Sequence, residues 1–233
     1  MNGDVDIAAA AALLGEPARA ALVLAVMEEG ALPATELASR AGIAPSTASE
    51  HLGRLVDGHF LVARRDGRHR YYELAQPAVA EAVESLARVA PQRPVRSLRD
   101  ATRSELLRAA RTCYDHLAGR LGVELARALE RERMLIRDDG SYALGPTAKA
   151  RLAELEIDIE ELALERRSLV RGCLDWSEGD LHVAGALGSA LLDRFLTTRW
   201  LGRAPGSRAV IVTEAGRSGF AALGVTAAPT RAG

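Results

Sequence analysis

The stretch from Thr35 to Leu74 constrains the fold of this chain more than any other. Its first part has apolar residues at helical spacing and ends at Gly42, because a glycine with positive φ commonly follows the last turn of a helix. Pro45 then suits the first turn of a second helix, where a backbone N–H would have no partner within the helix. The pattern predicts two helices joined by a tight turn.

The second predicted helix is amphipathic. One face carries small or aliphatic side chains that should pack inward, namely Ala48, Leu52, Leu55 and Val56. The other face carries short or polar side chains that could reach base edges and phosphates in the major groove of DNA. The candidate DNA-binding residues of this helix are Pro45, Ser46, Thr47, Ser49, Glu50, His51 and Arg54.

A basic hairpin is predicted directly after this helix. Asp66-Gly67 lies between two β-prone runs, which is a strong signal for a hairpin turn. Guanidinium groups flank the turn on both sides and suit a phosphate backbone. They belong to Arg64, Arg65, Arg68 and Arg70. Each piece alone is common, but the two helices and the hairpin in this order predict a winged helix-turn-helix that binds double-stranded DNA.

These residues resemble the ArsR/SmtB-type bacterial transcriptional regulators. The similarity rests on residues 44–52 and 61–68, together with the lead-in at residues 12–19, and it extends over about residues 7–90. It implies a homodimer in which the 46–57 helix of each subunit enters successive major grooves of a near-palindromic operator.

The resemblance also implies a dimer interface made by a first helix at about Ile7–Leu14 and a last helix at about Pro77–Val89. The chain departs from the family at one point. Metal-sensing members carry a cysteine pair in the helix before the recognition helix, and residues 36–40 contain no cysteine here. Arsenic or zinc sensing from that helix is therefore not expected.

The charge balance does not by itself indicate a nucleic-acid binder. The net charge is −1, and residues 1–95 contain nine arginines, no lysines and twelve acids. Positive charge is concentrated locally, since residues 64–70 hold four arginines and one aspartate. We therefore expect modest non-specific affinity for DNA that depends strongly on salt.

Other classes of protein are disfavoured by what the sequence lacks. No apolar stretch approaches the length that crosses a bilayer, and no basic start precedes the first apolar run. Two cysteines sixty residues apart do not resemble a secreted disulfide scaffold, so a cytoplasmic protein without membrane association is predicted. A Gly-rich phosphate loop, a Gly-x-Ser-x-Gly elbow and a His-Glu-x-x-His helix are all missing, and we predict that the chain is not an enzyme.

Two prolines at residues 91–94 predict a linker. The division that follows is a winged helix-turn-helix domain for DNA binding and dimerisation at residues 1–92, and an effector or interaction domain at residues 93–233. The second domain contains an internal repeat, with copies at about residues 111–156 and 171–224.

The repeat is visible as a gapless match of residues 116–122 with residues 182–188, and of residues 111–115 with residues 171–175. The second copy carries six extra residues before its histidine. Each copy ends in a predicted hairpin and a short helix, and Gly122 is aligned with the glycine turn at Gly42. The predicted fold is therefore mainly α with short β-hairpin wings, an N-terminal winged helix-turn-helix followed by two winged-helix-like pseudo-repeats.

The repeats also place cysteine and histidine at equivalent positions. Two thiolates and two imidazoles could complete a tetrahedral zinc site, and Cys-x-x-His spacing would put both ligands on one helical face. The candidate effector or metal residues are Cys113, Tyr114, Asp115, His116, Arg171, Cys173, Asp175, Trp176 and His182. No cofactor is required by the sequence.

Several interpretations of this set remain open. The cysteines and histidines could simply pack, with the cysteines acting as small hydrophobes. They could line a small-molecule pocket with Tyr114, Arg171 and Trp176. They could form a metal- or thiol-sensing site, for which Asp115 and Asp175 make the ligand count ambiguous, or a cysteine–histidine nucleophile pair.

The sequence thus predicts a dimeric transcriptional regulator, a repressor, whose operator binding is modulated through the C-terminal domain by a small molecule or a metal. The alternative is a winged-helix scaffold that docks proteins and barely binds DNA.

Overall fold

The first two helices begin at residues that are typical of helix N-termini. The computed structural model describes residues 4–67, 69–91 and 97–225. Helix α1 spans Ile7–Leu14, and the carboxylate of Asp6 accepts a hydrogen bond from the backbone N–H of Ala9 at its start. Helix α2 spans Pro17–Glu29, with proline in its first turn. No single described helix is long and apolar enough to cross a membrane; α1 and α2 pass that test only when taken together, across an 85° bend.

Helices α3, Ala34–Ala41, and α4, Pro45–Asp57, form the predicted helix-turn-helix. Gly42 adopts the left-handed conformation at φ 65°, and its N–H caps α3. The predicted inner face of α4 is confirmed, because Ala48, Leu52 and Leu55 are fully buried. Its fourth member, Val56, is half-buried.

The wing belongs to a three-stranded antiparallel sheet in the order β1–β3–β2. The strands are β1 at Leu32–Pro33, β2 at Leu61–Asp66 and β3 at His69–Leu74. The β2–β3 hairpin turns at Gly67. Arg68, one of the four predicted arginines of the wing, lies outside the described residues. Helix α5, Pro77–Val89, follows the sheet.

The chain divides into two compact units, Met1–Val83 and Glu84–Gly233. The boundary falls inside α5. The linker predicted at residues 91–94 lies, apart from Pro91, outside the described residues.

The second unit begins at Glu84 inside α5 and includes α6, Leu98–Ala109, which is capped by the Ser97 hydroxyl. It then contains the order hairpin, helix, hairpin, helix twice. The first copy consists of β4 (Arg111–Cys113), β5 (His116–Ala118), α7 (Gly119–Arg131), β6 (Leu135–Asp138), β7 (Ser141–Leu144) and α8 (Ala148–Ala153). After α9 (Ile159–Leu162), the second copy consists of β8 (Arg171–Leu174), β9 (Leu181–Ala184), α10 (Gly185–Thr197), β10 (Leu201–Arg203), β11 (Val210–Val212) and α11 (Glu214–Ala222).

The two copies share one apolar core. The buried faces of α7 and α10 contribute aliphatic side chains to a single cluster. Within it, Phe195 and Trp200 are stacked, and Phe220 contacts both rings edge to face. The predicted closing hairpins and short helices of both copies are confirmed.

One detail of the predicted repeat is wrong. Gly122 was expected to end a helix as Gly42 does, but it lies inside α7. The preceding residues are not helical, because Leu117 and Ala118 pair with Thr112 and Arg111 across the β4–β5 hairpin. Each copy therefore has one helix before its wing and no helix-turn-helix among its described residues.

Candidate functional site

The outer face of α4 presents its polar side chains to solvent. Pro45, Ser46, Thr47, Ser49, Glu50 and Arg54 are exposed, and His51 is half-buried. The Ser49 hydroxyl donates to the Pro45 carbonyl at 2.9 Å, and Arg54 pairs with Glu50 at 2.7 Å. In the described part of the chain, the hydroxyls of Ser46 and Thr47 have no hydrogen-bond partner, so both remain able to bind a ligand.

The wing presents positive charge from both of its long strands. Arg64, Arg65 and Arg70 are exposed, and Arg65 pairs directly with Arg70 across the hairpin. Like charges in such a pair repel each other. No described carboxylate forms an ion pair with any of the three, and Arg70 lies only over the Tyr72 ring, at 5.2 Å. An external anion would relieve the repulsion.

In the second unit, two hairpins hold the cysteine and histidine residues. Cys113 pairs directly with His116 across β4–β5, and Cys173 pairs with His182 across β8–β9. The expectation that Cys113 and His116 share a helical face is wrong, because these residues lie on adjacent strands joined by a two-residue turn. Directly paired residues share one face of a hairpin, so each hairpin still offers one thiol and one imidazole together.

The two hairpins bring all four side chains to one point. One potential ligand atom from each lies within 4.8 Å of the others. The two sulfur atoms are 3.9 Å apart, and the imidazole centroids are 5.1 Å apart. Cys113, His116 and His182 are buried, while Cys173 is partly exposed. The six extra residues of the second copy form the longer turn between β8 and β9.

Each histidine has a carboxylate from its own hairpin beside Nδ1. Asp115 Oδ1 lies 3.1 Å from Nδ1 of His116, and Asp175 Oδ2 lies 3.4 Å from Nδ1 of His182. The Nε2 atoms of both rings are buried and have no hydrogen-bond partner within the described structure. Asp115 forms a hydrogen bond with its histidine, whereas Asp175 lies beside His182 Nδ1 without a hydrogen bond. Both carboxylates stand outside the group of four potential ligands.

Both carboxylates are themselves held by guanidinium groups. Arg111 is completely buried and pairs with Asp175 at 3.0 Å, and Arg167 pairs with Asp115 at 2.6 Å. Burial alone would raise the pKa of Asp175, but the Arg111 charge and the hydrogen bonds from Ser177 and Gly119 hold it below its usual value. For Asp115, burial likewise opposes the shift, and His116 and Arg167 lower the pKa to about 2.

The two thiols influence each other. Their mutual hydrogen bond is the largest cause that lowers the pKa of Cys173 and raises that of Cys113. His116 and His182 lower the pKa of Cys173 further, against the effect of burial. The cluster thus favours thiolate character at Cys173.

The remaining candidate residues lie in or next to the hairpins. Tyr114 lies in the β4–β5 turn at φ 61°, and Arg171 begins β8 opposite Ala184. The Trp176 ring covers the Arg111 guanidinium at 4.5 Å. Arg111 and Arg167 were not among the predicted site residues, although the repeat aligns Arg111 with the candidate Arg171.

Comparison with known proteins agrees with the N-terminal architecture. A family model described as a helix-turn-helix domain matches residues 14–65. The uncharacterized HTH-type transcriptional regulator YdfF of Bacillus subtilis (strain 168) is 40% identical over 215 residues, which cover 92% of this chain and 95% of the relative. The chain belongs to the HTH-type transcriptional regulators. The predictions of a DNA-binding winged helix-turn-helix and of a role in transcription regulation are confirmed for this regulator.

Solved structures of ArsR/SmtB-type winged-helix proteins are similar to part of the regulator. The transcriptional repressor BigR from Xylella fastidiosa is 28% identical, with a TM-score of 0.34, over 37% of this chain and 88% of its own. The homodimeric winged helix-turn-helix DNA-binding domain of Mb0332 from Mycobacterium bovis is 28% identical, with a TM-score of 0.32, over 38% of this chain and 88% of its own.

Proposed function

We propose that the regulator is a homodimeric repressor that binds a near-palindromic operator through α4 and the wing. Ser46, Thr47, Ser49 and His51 contact base edges or nearby phosphates, and Arg54 contacts the backbone. Arg64, Arg65 and Arg70, with Arg68, bind the flanking phosphates or the minor groove. Pro45 and Glu50 complete the face that enters the major groove.

The observation that carries the proposal is the facing pair of Arg65 and Arg70. Two exposed guanidinium groups in direct cross-strand register, without a described carboxylate between them, leave positive charge that a phosphate can neutralise. A wing that only docked proteins would gain nothing from two guanidinium groups that repel each other.

Dimerisation through α1 and α5 is supported by apolar side chains that the single chain leaves exposed. Ile7 of α1 is 74% exposed, and Leu86 and Val89 of α5 are 48% and 80% exposed. Exposed apolar side chains on each of these helices are typical of an interface with another chain. A second copy of this regulator is the occupant that a palindromic operator requires.

The C-terminal unit controls operator binding. A small molecule or a metal bound there favours dimers whose recognition helices no longer match the spacing of adjacent major grooves, which is a population shift between two states. The candidate effector site consists of Cys113, His116, Cys173 and His182, together with Tyr114, Arg171 and Trp176.

Replacement of Arg65 by Ala tests the wing. We expect weaker binding to all DNA sequences alike and a slope of log affinity against log salt that is smaller by about one, because one phosphate contact is lost. Fluorescence anisotropy with the DNA upstream of the regulator's own gene and with an unrelated duplex measures both quantities. The matched control is Arg203→Ala, which removes an exposed arginine from β10 of the other unit and should leave the slope unchanged.

An unchanged salt slope in Arg65→Ala would remove this residue from the DNA interface. Failure of the unaltered protein to bind any duplex, together with salt-insensitive capture of a protein partner, would instead favour the scaffold alternative.

A further inference from the structure

We propose that Cys113, His116, Cys173 and His182 bind one Zn²⁺ ion per chain in a closed tetrahedral site that joins the two C-terminal repeats. Metal binding follows from the geometry of the cluster alone. Use of the ion as the signal that controls the operator rests on the proposed function above.

Each hairpin supplies two potential metal ligands. Direct cross-strand pairing places one sulfur and one imidazole side by side on the same hairpin face, once in each repeat. Two such hairpins facing each other supply four ligands without any contribution from a flexible loop. The set of two sulfurs and two nitrogens is one that structural zinc sites use.

The distances suit a four-coordinate ion. With Zn–S bonds of about 2.3 Å, tetrahedral geometry places two sulfurs about 3.8 Å apart, and Cys113 and Cys173 are 3.9 Å apart. The four ligand atoms already lie within 4.8 Å of one another. Small side-chain rotations therefore suffice to close the site.

The histidines are oriented as metal ligands. Asp115 and Asp175 lie beside the Nδ1 atoms, which leaves Nε2 of His116 and of His182 for the cluster. Both Nε2 atoms are buried without a partner in the described structure. A carboxylate on the far side of a ligating imidazole fixes its tautomer and raises its basicity, and such partners accompany most metal-binding histidines.

Simple packing explains these features less well. A core built for packing would leave three imidazole nitrogens buried and unsatisfied, Nε2 of His116 and both ring nitrogens of His182, which natural proteins generally avoid. A bound ion satisfies the two Nε2 atoms at once. Thiolate and imidazole ligands select zinc and similar soft ions over Mg²⁺ or Ca²⁺, which prefer oxygen. Since all four positions come from the protein, the ion has no open position for a substrate.

Metal content and cobalt substitution of the full chain test the proposal. Purified protein should contain about one zinc per chain, and the metal-stripped protein should take up one Co²⁺ with the intense visible bands of a tetrahedral site and thiolate charge-transfer bands. Cys173→Ser and His182→Asn should lose the tetrahedral spectrum. His59→Asn, which replaces an exposed histidine at positive φ in the first unit, should retain it.

A second measurement needs no variant and therefore does not depend on the folding of one. Alkylation of the cysteines, followed by mass spectrometry, should be at least about tenfold slower with zinc than after chelation, because a ligated thiolate is not free to react. Equal rates in both states would overturn the proposal. So would a mass lower by two hydrogens without metal, which identifies a Cys113–Cys173 disulfide.

Anisotropy measurements on the same samples separate the two proposals. Zinc uptake without operator binding would refute the proposed function and leave the metal site intact. Operator binding by a protein that takes up neither zinc nor cobalt would refute the metal site alone.

Discussion

At the residue scale, the most informative side chain is one that no sequence motif marked. Arg111 is fully buried, and its charge is matched by Asp175, 64 positions later in the chain. Asp175 also accepts hydrogen bonds from the backbone N–H groups of Gly119 and Ser177, at 2.7 and 2.8 Å. A buried charge is tolerated only when it is paired and hydrogen-bonded. This network therefore fixes the carboxylate that lies beside His182.

Asp115 has the equivalent place in the first repeat, and it is less deeply buried than Asp175. We predict that Asp115→Asn weakens zinc binding about 10- to 100-fold. A neutral amide neither orients His116 nor raises its basicity as a carboxylate does. Competition with a chelating dye measures the affinity. The Co²⁺ spectrum should remain tetrahedral, because all four ligands are still present.

The control for this substitution is Asp139→Asn. Asp139 is exposed in the β6–β7 turn, where its φ of 38° suits asparagine equally well. If both variants bound zinc as tightly as the unaltered protein, Asp115 would have no positioning role.

At the scale of elements, the two repeats pack reciprocally. Gly122 of α7 lies against His182, and Gly188 of α10 lies against His116. A Cβ atom at Gly188 would stand 2.5 Å from the carbonyl oxygen of Val183 and 3.1 Å from Cβ of His116. Because these glycines have no side chain, each helix approaches a hairpin closely. The two histidines therefore lie next to each other.

We therefore predict that Gly188→Ala lowers the free energy of unfolding of the C-terminal unit by about 1–3 kcal/mol, because backbone must shift to admit the methyl group. Chemical denaturation followed by tryptophan fluorescence measures this change, since both tryptophans lie in this unit. The matched control is Gly202→Ala in β10, where a Cβ atom would have no neighbour closer than 4.0 Å. Equal stability of the two variants would contradict the close-approach argument.

The elements of the helix-turn-helix were largely predictable from sequence. The glycine turn, the proline in the first turn and the apolar spacing of α4 are signals that act within a few residues. The short strands of the C-terminal hairpins were not predictable from the Cys-x-x-His spacing. That spacing fits one face of a helix and two paired strands equally well, and only pairing with the partner strand decides between them.

At the scale of the whole molecule, dimerisation is the property that the proposed function requires. We predict that replacing Ile7 and Val89 together by Glu converts the regulator to a monomer, because four charged groups per dimer would be buried at the interface. Sedimentation analysis measures the mass. Affinity for the palindromic operator should fall at least about tenfold, equivalent to about 1.4 kcal/mol.

Ile136→Glu is the control for this pair. Ile136 is 50% exposed on β6, where a single exposed apolar residue is ordinary for a protein surface. It should leave the mass and the DNA affinity unchanged. A dimer that survived both substitutions in α1 and α5 would place the interface elsewhere.

The sequence by itself determined the recognition helix, the arginine wing and the existence of a duplicated second half. Those features depend on capping, periodicity and turn chemistry, which are local. Only the tertiary structure decided that Cys113, His116, Cys173 and His182 converge, that Asp115 and Asp175 support the histidines, and that Arg111 balances a carboxylate far along the chain. The convergence of the two hairpins and the Arg111–Asp175 pair join residues about sixty positions apart. Their distances are set by how the two repeats share a core, which no local pattern encodes. The contacts of Asp115 with His116 and of Asp175 with His182 each lie within one hairpin.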